Sequence, residues 1–194
     1  RFVLPHVAAM EGYVPGEQPQ GGSFIKLNTN ENPYPPSPKA KQALVDAVDD
    51  RLRLYPDPTG RAFRETAAAL HGVEPDMILA GNGSDDVLTI LTRAFVGPGD
   101  LAAYPTPSYL LYSTLIKLQN GREHVVPFDD AWRLDVSGFL EPGVKLAYLA
   151  NPNSPSGTAL SPAEVARLAE RLECPLVVDE AYGDFAREDC VSLV

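Results

Sequence analysis

The sequence predicts an α/β fold in which a mostly parallel sheet carries helices on both faces and an N-terminal arm precedes it. Two observations lead there. After Pro75, short apolar segments of strand length alternate with segments of helical period, the order that joins parallel strands through crossover helices. The prolines, 19 among 194 residues and about twice the usual share, gather at 33–38, 56–58, 105–107 and 152–155, so they punctuate loops instead of forming a disordered tract. With 44% hydrophobic residues the chain can bury a sizeable core, enough for one domain and an appendage but not for two full domains.

Residues 1–37 have no sustained period and carry Gly, Pro, Gln and Asn, which predicts an arm and a segment of a small domain. Residues 38–194 are expected to form the front part of a large ligand-binding domain. From Pro38, Ala40, Ala43, Leu44, Ala47 and Val48 recur at helical spacing until the stop at Leu54-Tyr55-Pro56. Thr59-Gly60 opens a second helix, with Phe63, Ala67 and Leu70 on one face and His71-Gly72 at its end. Residues 77–80 are expected as a short apolar strand, 81–83 as a turn, and Ser84 as the N-cap of a helix through Val87, Leu88, Leu91 and Phe95. Strands follow at 101–104, 123–128, Val144–Ala150 and Leu176–Asp179, with a helix over 108–118. Ser161-Pro162-Ala163-Glu164 is a capping box with proline at the first helical position, opening a helix that runs to Leu172.

The formal net charge of −10 and a pI near 4.7 argue against nucleic acid or an anionic membrane as partner, since both need basic surfaces. Any anionic ligand must therefore be held locally. No apolar run reaches the length of a membrane span, and the opening RFVLPHVAAM lacks the order of a signal peptide. Cys174 and Cys190 have no metal-binding spacing and suggest a reducing, cytoplasmic setting.

Four strand ends carry groups suited to chemistry. Gly81-Asn82-Gly83-Ser84-Asp85-Asp86 lies between a strand and a helix, where free N–H groups and the helix dipole suit a phosphate and Ser84 adds a hydroxyl. Asp86 stands where a dinucleotide fingerprint needs a small residue, and no Gly-Lys-Ser/Thr follows, so dinucleotides and nucleoside triphosphates fit poorly. Tyr109, at the end of Tyr104-Pro105-Thr106-Pro107-Ser108-Tyr109, can stack on a flat ligand. Asn151-Pro152-Asn153-Ser154-Pro155-Ser156-Gly157 holds amide and hydroxyl groups in a proline turn. The apolar run before Asp179 ends on a carboxylate that needs a cationic partner, with Tyr182 three residues on. That pair suits a ring with a protonated nitrogen on one side and a phenolate oxygen on another, as in pyridoxal phosphate. Each segment alone also fits a structural role: a capped helix, a core-packed tyrosine, a proline turn, an aspartate capping the next helix. Their joint presence at successive strand ends favours one shared ligand site.

Taken in order, TNENPYPPSP, YPDPTGRAFRETAAAL, GNGSDD, YPTPSY, NPNSPSG and VVDEAY resemble the fold-type I pyridoxal-phosphate aminotransferases, across a stretch from Tyr13 to Tyr182. Among these the sequence is most similar to the histidinol-phosphate aminotransferases. The resemblance implies pyridoxal 5'-phosphate as cofactor and transfer of an amino group between histidinol phosphate and 2-oxoglutarate in histidine biosynthesis. It further implies a cytoplasmic homodimer acting on small molecules, with no metal, nucleic acid or membrane involved. An aromatic aminotransferase, a decarboxylase of phosphorylated amino acids, or a non-catalytic chain ending at Val194 are the alternatives.

By the same resemblance Asp179 pairs with the ring nitrogen and Tyr182 with the phenolate oxygen as the catalytic groups, and Tyr109 stacks on the ring. Gly83, Ser84 and Asp85 lie at the cofactor phosphate, Tyr55 reaches the cofactor of the partner subunit, and Tyr13 and Asn32 close over the substrate. The family's usual NPNNPTG is NPNSPSG here, so either Asn153 or Ser154 is expected to meet the phenolate oxygen. The Schiff-base lysine is expected beyond Val194, which would make the chain the front half of a longer enzyme.

Overall fold

A computed structural model describes residues 2–11 and 25–194. The chain divides into two compact units, Arg1–Met10 with Arg61–Val194, and Glu11–Gly60. Helix α1 (Pro5–Ala8), a single turn, opens the first unit.

In Glu11–Gly60, helix α2 (Pro38–Asp46) begins as its sequence dictates. The Ser37 hydroxyl accepts from the Ala40 amide at 3.1 Å, and Pro38 takes the first turn, where no N–H is needed. The helix stops well short of Leu54. Asp49 is extended, and its carboxylate accepts from the Arg51 amide at 2.8 Å and from Arg51 Nε at 2.8 Å, which diverts the chain into a 3₁₀ turn over Asp50–Arg53. A short acidic side chain that binds its own backbone in this way competes with the helix ladder.

The other unit is built on a sheet. Helix α3 (Arg61–His71) ends at Gly72, whose φ of +71° suits a left-handed C-cap. The strand expected at 77–80 does not form. Pro75–Met77 is a 3₁₀ turn, and the Arg64 guanidinium takes the Pro75 and Ile78 carbonyls at 3.0 and 2.9 Å, the second of them a group a ladder would have used. Four apolar residues become a strand only beside a neighbour that shares their hydrogen bonds, and the described residues supply none here. Helix α4 (Ser84–Phe95) leads to strand β1 (Leu101–Thr106), helix α5 (Leu111–Leu118), strand β2 (Arg122–Pro127), strand β3 (Val144–Ala150), helix α6 (Pro162–Ala169) and strand β4 (Leu176–Asp179). Single-turn α1 rests on α5, where His6 Nε2 donates to the Leu118 carbonyl at 3.2 Å.

The four strands run in the order β2-β1-β3-β4, every pair parallel, which confirms the α/β class and the covered sheet. Alternate residues of β3 face opposite layers. Leu146, Tyr148 and Ala150 pack with Leu88, Tyr112 and Ile116 beneath α4 and α5, while Ala147 and Leu149 pack with Phe139, Val165 and Leu168 beneath α6. The predicted capping box of α6 is present, with Ser161 and Glu164 exchanging side-chain to backbone bonds. Cys190, set in a polar stretch of sequence, is buried in the α6 layer, and burial followed by the Glu180 carboxylate pushes its thiol up to about 11. No helix of the described residues is long and apolar enough to cross a membrane.

A polar thread runs through the α4 layer. Thr92 Oγ1 donates to the Leu88 carbonyl at 2.6 Å, so the Tyr148 hydroxyl, 2.5 Å away, donates to Thr92. Thr92→Val keeps the shape but leaves the buried Tyr148 hydroxyl unpartnered, and is expected to lower unfolding stability by about 1–3 kcal/mol in a denaturant titration. Between β1 and the edge strand β2 the Tyr104 hydroxyl donates to Glu123 Oε1, and burial, then that carboxylate, pushes the phenol up to about 12. Because the folded state favours the protonated phenol, this bond stabilises the fold fully below the ordinary tyrosine range and is lost as pH rises toward about 12. The stability difference between Tyr104→Phe and the parent chain should therefore be constant below that range, and the parent chain alone should lose stability as pH rises from there toward about 12, read from unfolding curves at each pH.

Candidate active site

The winding of the sheet reverses at β1. From β1 the chain passes through α5 to β2 on one side, then returns across to β3 on the other, so the carboxyl ends of β1 and β3 splay loops in opposite directions. A crevice at such a switch point is the usual ligand site of an open parallel sheet. Three predicted site segments, 106–109, 151–157 and 179–182, leave the sheet at this end, and α4 contributes its N-terminus within the same unit.

Asn153 ties the two sides of the switch together. It is 3% exposed, its Oδ1 accepts from Ser108 Oγ at 2.7 Å, and its Nδ2 donates to the Pro107 carbonyl at 3.1 Å and Ser156 Oγ at 3.0 Å. Ser108 is thereby drawn toward β3, and α5 begins at Leu111 instead of at 108. Asn151, also 3% exposed, binds Leu160 at both ends, accepting from its amide at 2.7 Å and donating to its carbonyl at 3.0 Å. The proline turn between them is thus held by amide side chains acting as extra backbone. Ser154 is half-buried beside this anchor.

At α4 the N-cap is Gly83, one residue earlier than expected. Its φ of +81° and ψ of 177° lie in a region essentially reserved for glycine. Among the described residues no side chain caps the helix N–H groups; Asp86 instead reaches back past the cap, its Oδ2 accepting from the Asn82 amide at 3.1 Å. Asp85 turns to the neighbouring loop and accepts from the Tyr109 hydroxyl at 2.9 Å. Both carboxylates of the first turn are thus engaged, and the Ser84 hydroxyl has no partner among the described residues. A helix start with N–H groups, a hydroxyl and no Cβ at Gly83 is a donor set for a phosphate.

Asp179 ends β4. Its Oδ2 accepts from the Tyr112 hydroxyl at 2.7 Å and its Oδ1 from the Ala181 amide at 3.1 Å. Sequence reading missed Tyr112; its only local signal is a position three residues beyond Tyr109, one helical turn on. The buried Tyr112 ring stacks on Tyr148 at 4.8 Å and 12° and meets Tyr109 edge-on at 5.8 Å and 89°. Burial, then the Asp179 charge, pushes the Tyr112 phenol above the ordinary tyrosine range, so it remains a protonated donor. Tyr182, half-buried, precedes the 3₁₀ turn Gly183–Phe185. Tyr55 and Asn32 belong to the Glu11–Gly60 unit, where Tyr55 is fully exposed and Asn32 Oδ1 accepts from the Tyr34 amide at 2.9 Å. Tyr13 lies outside the described residues.

A phosphate-type donor set, an aromatic ring joined to it through Asp85, and a carboxylate joined to that ring through Tyr112 fit a flat, phosphorylated ring with a protonated nitrogen. The opposite end of the sheet is differently made: a hollow of about 580 Å³ there is lined by Phe95, Leu140, Lys145, Arg171 and Cys174.

Residues 23–194 match the family model described as aminotransferase class I and II. The chain is 52% identical over 192 residues to a histidinol-phosphate aminotransferase of Rhodopirellula baltica, covering 98% of this chain and 53% of that protein. It is 47% identical over 190 residues to one of Syntrophotalea carbinolica, covering 97% and 54%. The fold matches a crystal structure of histidinol-phosphate aminotransferase from Sinorhizobium meliloti in complex with pyridoxal-5'-phosphate, with TM-score 0.77, 30% identity, and coverage of 84% of this chain and 45% of that one. The chain spans about half the length of the curated relatives it matches.

Gly83→Ala is expected to lower stability by about 1–3 kcal/mol, since an alanine cannot hold that backbone geometry without strain. Gly99→Ala, with its φ of +83° in the loop before β1, serves as a comparison for the helix start: only the change at Gly83 should weaken phosphate-ester binding measured by titration.

Proposed function

The chain belongs to the class I and II aminotransferases, and we propose that it forms the front part of an enzyme that moves an amino group between histidinol phosphate and 2-oxoglutarate with pyridoxal 5'-phosphate. The observation that carries this reading is the continuous contact path from the start of α4 through Asp85, Tyr109 and Tyr112 to Asp179, which links a phosphate donor set to a carboxylate across an aromatic ring. The 52% and 47% identities to histidinol-phosphate aminotransferases support the choice of substrate.

When bound, the cofactor supplies an electron-accepting ring that stabilises negative charge at the substrate's α-carbon. Asp179 would hold the proton on the ring nitrogen, its orientation fixed by Tyr112 and Ala181. Tyr109 would cover the ring, and Tyr182 would donate to the phenolate oxygen. The N–H groups of Gly83, Ser84 and Asp85, with the Ser84 hydroxyl, would bind the phosphate. Because the Asn153 amide is already committed to Ser108, Pro107 and Ser156, Ser154 is the better candidate for the second contact to the phenolate oxygen. The exposed Tyr55 would reach the phosphate in a second copy, which makes the enzyme a homodimer, and Tyr13 and Asn32 would close over the substrate. Residues 1–37 act in this scheme as arm and small-domain segment, 38–194 as the front of the cofactor domain, in a cytoplasmic enzyme.

The test is amino transfer by the longer protein that carries this chain, with histidinol phosphate, phenylalanine and threonine phosphate compared as substrates. Preferred turnover of histidinol phosphate is expected. Preference for phenylalanine, or release of carbon dioxide from threonine phosphate, would replace this reading by another reaction on the same cofactor. Asp179→Ala should leave a folded protein whose turnover falls about 10²-fold or more, because the ring nitrogen loses its fixed counter-charge; undiminished turnover would remove Asp179 from this role.

A further inference from the structure

Resting on the cofactor reading above, we propose that Tyr112 is a positioning residue that fixes the Asp179 carboxylate for its cationic ligand, and that it does so because its own ring is clamped on both sides. Asp179 accepts one hydrogen bond at each oxygen, from Tyr112 at Oδ2 and from the Ala181 amide at Oδ1. Two donors on different oxygens set the rotation of the carboxylate plane; one donor would leave it free to swing. The Ala181 amide is carried by the chain just after β4, so it moves with Asp179. Tyr112 comes from α5, 67 residues earlier, and is the donor that refers the carboxylate to the rest of the core.

The clamp explains why this donor is rigid. Tyr112 is 0% exposed, stacked on Tyr148 at 4.8 Å, and Tyr148 is itself anchored by its hydroxyl bond to Thr92. Tyr109 closes the other side edge-on at 5.8 Å and is tied to α4 through Asp85. The ring that would cover the cofactor and the carboxylate that would hold its nitrogen are therefore referred to one buried tyrosine. A group placed this way raises affinity by preorganisation, since the carboxylate loses no freedom on binding.

A double-mutant cycle tests it, with pyridoxamine 5'-phosphate as probe because that ligand needs no covalent link to the protein. Dissociation constants are measured by ligand fluorescence for the longer protein that carries this chain, its Tyr112→Phe and Asp179→Ala variants and the double variant, and thermal unfolding of each shows whether it is folded. Loss of a charge-assisted bond predicts binding about tenfold weaker in Tyr112→Phe, with the second substitution adding no further loss once Asp179 is gone. Tyr148→Phe, which keeps the stacked ring and drops only the Thr92 bond, is expected to weaken binding less than threefold while lowering the melting temperature. If Tyr112→Phe costs the same factor with and without Asp179, Tyr112 serves packing alone and the inference fails. No uptake by the folded longer protein overturns the cofactor reading and this inference with it, whereas uptake with additive losses overturns the inference alone.

Discussion

The parallel pairing of β1 with both β2 and β3 is the constraint on which the rest depends. Because β1 precedes both of its parallel neighbours in sequence, the chain winds outward to β2 in one direction and then returns past β1 to wind through β3 in the other. The carboxyl ends of β1 and β3 are thereby left without a connection crossing between them. Something must hold these two ends together, and Asn153 does, through its bonds to Ser108 and Pro107. The same geometry that leaves the gap places Tyr109 and Asp179 beside it.

Covering both sheet faces sets the composition of the strands. β3 is buried almost throughout because α4 and α5 lie on one side and α6 on the other, so alternate residues have no polar face to present. The polar groups that do enter this core come in satisfied sets. Thr92 serves Tyr148, Tyr112 serves Asp179, and among the described residues no buried side-chain nitrogen or oxygen lacks a partner. The core next to the site is in this sense part of the site: the stacked pair Tyr112 and Tyr148 carries order from α4 to the end of β4.

Much of this was legible in the sequence where the physics is local. The capping box at Ser161 needs only four residues to specify it, and the strand ending on Asp179 announces itself as an apolar run meeting a carboxylate. What was not legible depends on distant partners. The hydrogen bond from Tyr112 to Asp179 spans 67 positions, so nothing near either residue reveals it. Residues 77–80 have strand-like composition but no neighbour among the described residues, and Arg64 claims the Ile78 carbonyl instead. At the start of α4, Ser84 has the right chemistry for a cap, yet Gly83 with its positive φ takes the N-cap position without a side-chain cap bond, and Asp86 spans back to the Asn82 amide. Likewise Asn153 looked available for a ligand until its three bonds were seen to hold the two loops together.

The central claim is that the switch-point end of the sheet, and not the hollow of about 580 Å³ at its other end, receives the phosphorylated ring. Amide chemical-shift mapping of the isotope-labelled chain during titration with pyridoxal 5'-phosphate tests this most directly. The account predicts perturbations at Gly83, Ser84, Asp85, Tyr109, Ser154 and Asp179, saturating together with one dissociation constant. Perturbations centred on Lys145, Arg171 and Cys174, with the switch-point residues unchanged, would contradict it.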